Sequence, residues 1–238
     1  MGSKDDNLQT PTMDRMKALA TVKAAAEKLK SAGTSTAAYG HHQPVPLETA
    51  RSIVDHWPDA PKMTAAQLLE RYGPPHEATP TKLFWYMTGP WARMELTADH
   101  VLHNFPTPHV DYFTQFVNYA VPPQKASELA AFDGSVIVDR TAGQLGSRCD
   151  HEAFNTLTLN LAVEIIEGTR SVDDARELYA QTAAAYVMGR DAPYAEQLLF
   201  TPATGDTADP DESVIAPAMA EQMIEKVKDA FGAGDTPQ

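Results

Sequence analysis

Between residues 99 and 111 the chain reads DHVLHNFPTPHVD, which sets His100, His103 and His109 close together with Asp111 two residues further on. Imidazole nitrogen and carboxylate oxygen together suit zinc, iron, manganese or copper, and three nitrogens with an open position would make a catalytic-type site. In a strand, His100 and His103 point to opposite faces, so they converge only on a helix or in a loop. Pro106 and Pro108 favour a loop. The expected site is therefore His100, His103, His109 and Asp111 around a divalent transition metal. The competing reading is a proline-rich surface loop whose histidines form ordinary hydrogen bonds.

A second concentration of ionisable groups, Arg140, Arg148, Cys149, Asp150, His151 and Glu152, falls where a hairpin is expected to run into a helix. Cationic neighbours and a helix start lower a thiol pKa, which makes Cys149 a candidate nucleophile. Such a nucleophile also needs an oriented base and an oxyanion site, and spacing shows neither. A small buried cysteine is the plainer reading. Other chemistry is excluded by motif. Glu-x-x-His and His-Glu-x-x-His are missing, and Gly143-Gln-Leu-Gly146 lacks the Lys-Ser/Thr of a phosphate loop. Thr141 to Gly146 is read instead as a hairpin turn. His41-His42 is a weaker metal candidate, because adjacent side chains seldom converge on one ion.

These groups need elements to hold them. Phe154, Leu157, Leu161, Ala162 and Ile165 recur at helical spacing, and Leu159, Val163 and Ile166 widen the stripe until most sides must be packed. Ser147 and Asp150 read as a capping box for this helix, and Gly168 as its stop. Ser171 with Asp174 starts a second helix ending at Gly189, so the two form an antiparallel pair. Further back, Thr64 with Gln67 reads as the start of a helix ended by Gly73, and Pro74-Pro75 forbids continuation. KLFWYMT (82–88) and WARMELT (91–97), separated by Gly89-Pro90, read as a hairpin. The helix, Gly-Pro-Pro and hairpin order over about residues 63–97 resembles the small modules of BamE/SmpA-like envelope lipoproteins. That family's lipidated cysteine is missing here, and no site residue or function carries over. YFTQFVNYAV (112–121) fits a helix and a strand about equally; its aromatics and valines favour strand. A short helix follows over 123–132.

An outer helix is expected from Thr12 to about Ala32, with Met16, Leu19, Val22 and Leu29 turned inward, and a last helix over 217–231. The expected organisation is a tail at 1–11, one α+β domain over 12–200, an acidic loop at 201–212, and a C-terminal helix and tail over 213–238. The domain is expected to have a small, mainly antiparallel sheet covered by helices, with a C-terminal helical hairpin.

Composition bounds the function. The formal charge is −13 with a pI near 4.9, and no basic stripe is available to displace counterions from a phosphate backbone, so nucleic acid is not an expected partner. One cysteine rules out an intrachain disulfide framework and any zinc site built from several thiolates. No membrane span is expected, since no stretch reaches the ~20 apolar residues required. The simplest compartment is the cytoplasm; export is the alternative if Met1 to Ser3 replaces a removed signal. The leading reading is a soluble ligand- or transition-metal-binding protein with its site at the His100 to Asp111 segment. Its rival is a non-catalytic interaction or assembly subunit, homo- or hetero-oligomeric through its terminal helices. An enzyme using Cys149 comes third.

Overall fold

The structure, a computed structural model, describes residues 11–32 and 43–215 together with 219, 222, 225 and 226. The chain divides into two compact units, Thr36–Pro210 and Met1–Ser35 with Asp211–Gln238. The N-terminal tail at 1–10, the His41-His42 pair and most of the expected helix at 217–231 lie outside the described residues. In the second of these units, helix α1 spans Thr12–Ala32. Its length matches the alanine- and lysine-rich pattern, but Leu19, Val22 and Leu29 are exposed and not turned inward as expected.

The larger unit is α+β. Its elements run α2 (Leu47–Val54), α3 (Asp59–Tyr72), β1 (Glu77–Thr79), β2 (Lys82–Thr88), β3 (Trp91–His103), β4 (His109–Asn118), a 3-10 turn (Pro123–Lys125), α4 (Ala126–Phe132), β5 (Val136–Asp139), β6 (Gln144–Cys149), α5 (Glu152–Glu167), α6 (Val172–Val187) and α7 (Pro193–Glu196). The six strands form one sheet in the order β1-β2-β3-β4-β6-β5, and every pairing is antiparallel. The ambiguous run at 112–121 is strand through Asn118, held between β3 and β6. A central strand buried on both faces has the continuous apolar character that made it look equally helical.

Strand alternation sets Met94, Leu96, Phe113, Gln115, Val117, Leu145, Ser147 and Cys149 on one face. Helix α5 lies against that face, where the Asn155 amide donates to the Phe113 carbonyl at 3.0 Å and to Gln115 Oε1 at 3.2 Å. Leu157, Leu159, Leu161, Ala162 and Ile165 are fully buried there. Leu161→Ala should therefore lower stability by about 3 kcal/mol, through lost transfer free energy and a cavity that the packed sheet cannot close. Urea unfolding with an unchanged m value measures it; a loss below about 1 kcal/mol would place the core elsewhere.

Two expected helix starts are corrected. Helix α3 begins at Asp59, so Thr64 is mid-helix and buried, with its hydroxyl near Tyr112 Oη (3.1 Å) and donating to the Asp150 carbonyl (3.2 Å). Sheet pairing continues through Cys149, opposite Phe113, so Ser147 is a strand residue and cannot cap α5. His151 caps it, its Nδ1 accepting from the Ala153 N–H at 3.2 Å. The Ser171 cap of α6 is as expected, with its hydroxyl accepting from the Asp174 N–H at 3.1 Å.

The acidic segment after residue 200 is an irregular loop docked against β4 and the turn before β6. Ala203 N–H donates to the Asn118 carbonyl (3.0 Å), Thr207 Oγ1 donates to the Gly143 carbonyl (2.6 Å), and Arg140 pairs with Asp209 at 2.7 Å. Gly143, at φ +67°, permits this close approach: a Cβ there would meet the Thr207 backbone at 2.1 Å.

Candidate functional site

A defect in sheet register builds the site. From Leu96, opposite Phe113, to Val101, opposite Asp111, β3 advances five residues while β4 moves back two, so β3 carries three extra residues. An odd insertion exchanges the faces of the strand. Before the bulge the even-numbered Met94 and Leu96 face α5; beyond it His103, directly opposite His109, takes that face with His109 and Asp111. Ladder pairing reaches His103 on one side and resumes at His109 on the other, so only residues 104–108, with a cis Phe105–Pro106 bond, form the loop that the prolines suggested for the whole segment.

His103, His109 and Asp111 come together, each offering one ligand atom, all within 4.8 Å of one another. His100 does not join them. It lies in the bulge, exposed, with its Nδ1 3.3 Å from the Ala98 carbonyl. The structure thus assembles three of the four expected residues.

Asp111 is 2% exposed and surrounded by donors. Its Oδ2 accepts from the Ser135 hydroxyl at 2.5 Å and lies 3.4 Å from His103 Nδ1 and 3.9 Å from Arg148 Nε. Its Oδ1 lies 3.1 Å from His109 Nε2, an ion-pair distance. The two groups pair electrostatically, off the line of a regular hydrogen bond. Burial is the largest influence on the Asp111 carboxyl and pushes its pKa up, but His109, Ser135 and His103 outweigh it and hold the pKa below the ordinary value. His109 is pushed up to about 9, chiefly by its pairing with Asp111, against burial and helped by the Thr107 carbonyl.

An outer shell fixes the His109 ring and flanks His103. His109 Nδ1 is 2.8 Å from the Thr107 carbonyl, and a carbonyl can only accept, so this nitrogen holds a proton and Nε2 is turned to Asp111. His103 Nε2 lies 3.5 Å from Asp133 Oδ1, while Nδ1 faces Ser135 Oγ (3.2 Å) and Asp111. Asp133 is itself held by the Ser135 N–H at 2.8 Å, and burial raises its pKa. Phe105 closes one side of the cluster, packed on Tyr179 with ring centroids 5.0 Å apart and covered by the Arg176 guanidinium at 3.9 Å.

Cys149 is 3.5 Å from His109 Nε2 and 3.4 Å from Asp150 Oδ1. It is the buried cysteine of the plainer reading, and the lowered thiol pKa of the nucleophile candidate does not hold. Burial first, and then the Asp150 carboxylate, push it well above the ordinary value, because Cys149 ends a buried strand and does not sit at an exposed helix start. A reactive thiolate is not poised here. Asp133 and Ser135 were not legible as site neighbours, since they reach His103 and Asp111 only through side-chain contacts across the fold; the one local signal was the Asp133-Gly134-Ser135 turn.

Two histidines and a carboxylate, with the His109 ring oriented from behind, are a group that could hold a metal ion. No helix among the described residues is long and apolar enough to cross a membrane. Comparison with protein-family models, with curated proteins and with solved structures finds no match that would attach this chain to a family.

Proposed function

We propose that this protein binds a divalent transition metal through His103, His109 and Asp111. The observation that supports the reading most is the convergence of the three side chains, whose ligand atoms all lie within 4.8 Å of one another. The His109 ring is held from behind, with Nδ1 on the Thr107 carbonyl and Nε2 turned on the Asp111 carboxylate. Metal-bound histidines are held in this way, because the outer acceptor fixes the tautomer that leaves a lone pair for the ion. Nitrogen with few oxygens favours zinc, cobalt, nickel, copper or iron over magnesium or calcium, which take mainly oxygen ligands.

The test is metal analysis of untagged protein by mass spectrometry, paired with thermal unfolding. The wild type should bind one equivalent of zinc or cobalt, and at a free concentration 100 times Kd should gain about 2.7 kcal/mol of stability. His103→Ala should lose both the metal and the gain, whereas His100→Ala should keep both, because His100 faces solvent beside the Ala98 carbonyl. Wild-type protein that melts at one temperature with and without EDTA would end the reading. The rival, an interaction subunit, would then lead, supported by the exposed Leu19, Val22 and Leu29 of α1.

A further inference from the structure

We propose that the protein has a second site, separate from the histidine cluster, which binds a small carboxylic acid in the cavity between α3 and the start of α5. The cavity has a volume of about 180 Å³. Thr64, Gln67, Leu68 and Arg71 line it from one face of α3, His151 and Glu152 line it from the start of α5, and Phe113 of β4 completes it. It shares no residue with His103, His109 and Asp111.

Ties on either side of the cavity set its width. The Thr64 hydroxyl donates to the Asp150 carbonyl at 3.2 Å, next to His151. Further along α3, Arg71 Nη1 lies 3.6 Å from Glu152 Oε2, and the Tyr72 hydroxyl donates to Glu152 Oε1 at 2.7 Å. Trp91 Nε1 donates in turn to Tyr72 Oη at 3.1 Å, which fixes that hydroxyl from behind. These contacts hold α3 and the start of α5 apart, so the cavity is formed before a ligand arrives and binding requires little ordering of its walls.

Hydrogen-bonding capacity in the cavity is weighted towards donors. His151 Nδ1 accepts from the Ala153 N–H, so in the neutral ring Nε2 carries the proton and donates. Gln67 adds a carboxamide NH₂. Arg71 faces Glu152 through Nη1 at 3.6 Å, beyond hydrogen-bond length, and its planar guanidinium suits the two oxygens of a carboxylate. The acceptors are committed: Glu152, the one carboxylate in the lining, takes the Tyr72 proton and faces Arg71, and the Thr64 hydroxyl is held by Asp150. Leu68 and Phe113 add apolar surface for a short hydrocarbon chain. At about 30 Å³ for each water-sized group the space holds on the order of six non-hydrogen atoms, the size of butyrate. A nucleotide or a peptide is too large, and a cation would meet the Arg71 charge.

Sodium butyrate, titrated into nitrogen-15-labelled full-length protein with EDTA present, tests the site by NMR. The N–H signals of Gln67, Arg71 and Glu152 should shift along one saturating curve with a midpoint near or below about 1 mM. Sodium chloride at the same concentrations should not reproduce the curve. Arg71→Met should weaken binding by about tenfold or more, since a hydrogen bond to a charged group is lost, whereas His100→Ala should leave it unchanged. Should Arg71→Met fail to fold, Gln67→Leu at an exposed position removes a donor and narrows the cavity, and it should weaken binding in the same direction. Wild-type shifts that do not saturate, that chloride reproduces, or that butylamine produces in place of butyrate would overturn the assignment. Undiminished affinity in a folded Arg71→Met protein would overturn it too. With EDTA present and no residue in common, the result leaves the metal reading to its own test.

Discussion

Asn160→Ala should destabilise the protein by on the order of 4–6 kcal/mol, more than any single apolar truncation in the same helix. Asn160 is 2% exposed, and its side chain ties the segment after α6 to α5. Its Nδ2 donates to the carbonyls of Tyr194 and Gln197, each at 2.8 Å, and its Oδ1 accepts from the Leu199 N–H at 2.7 Å. Truncation leaves these three backbone groups without their partner. Each unsatisfied buried group costs roughly 1–3 kcal/mol, so the sum exceeds the ~2–5 kcal/mol of an emptied leucine site. Chemical unfolding gives the total. Hydrogen exchange at Leu199 gives the mechanism, because that amide should lose protection first if the segment lifts from α5. An effect below 2 kcal/mol with Leu199 still protected would mean that water or a neighbouring group replaces the amide without cost.

Asn160 also shows where sequence pattern stops being informative. The apolar repeat of α5 correctly implied a helix packed on most sides, because a stripe that broad has no solvent face. The same pattern leaves the polar Asn160 and Glu164 to the narrow strip between its apolar positions. In the structure Asn160 is a buried tie, and Glu164 accepts from Tyr194 Oη at 2.6 Å and pairs with Arg170. Periodicity sorts residues by polarity, but a polar residue inside a helix can be satisfied by a distant backbone as well as by water. Capping boxes failed for a related reason at Ser147: the local spacing is correct, but pairing of β6 with β4 claims the residue first. Ser171 has no such competitor, and there the box holds.

The site was legible in composition and not in geometry. His103, His109 and Asp111 are close in sequence and remain close in space because they flank one tight turn of a hairpin. His100 fails because three extra residues in β3 carry it out of the ladder, and no residue type in Thr97 to His100 announces a bulge of that size.

Metal affinity should rise about 100-fold between pH 7 and pH 9, and should not level off just above the ordinary histidine pKa near ~6.5. Below its raised pKa of about 9, folded metal-free protein holds a proton on His109 that pairs with Asp111. Since Nδ1 is committed to Thr107, the proton that an incoming ion must displace is the one on Nε2. Each unit of pH below 9 therefore costs a factor of ten in affinity. Folding stability of the metal-free protein runs the other way. The unfolded histidine titrates near ~6.5 and the folded one higher, so the imidazolium–carboxylate pair contributes fully below ~6.5, on the order of 3 kcal/mol, and that contribution is lost as pH rises towards 9. Asp111, with its folded pKa depressed, limits the other end: its share is present above ~3.9 and is lost as pH falls through the folded value. The gap in melting temperature between metal-loaded and metal-free protein should consequently widen steadily from pH 7 to pH 9. Affinities from competition with a chromophoric chelator, with unfolding curves at each pH, check both slopes. A metal affinity already at its plateau by pH 7 would show that Nε2 of His109 carries no proton in the metal-free protein, and that the ion has no proton to displace there.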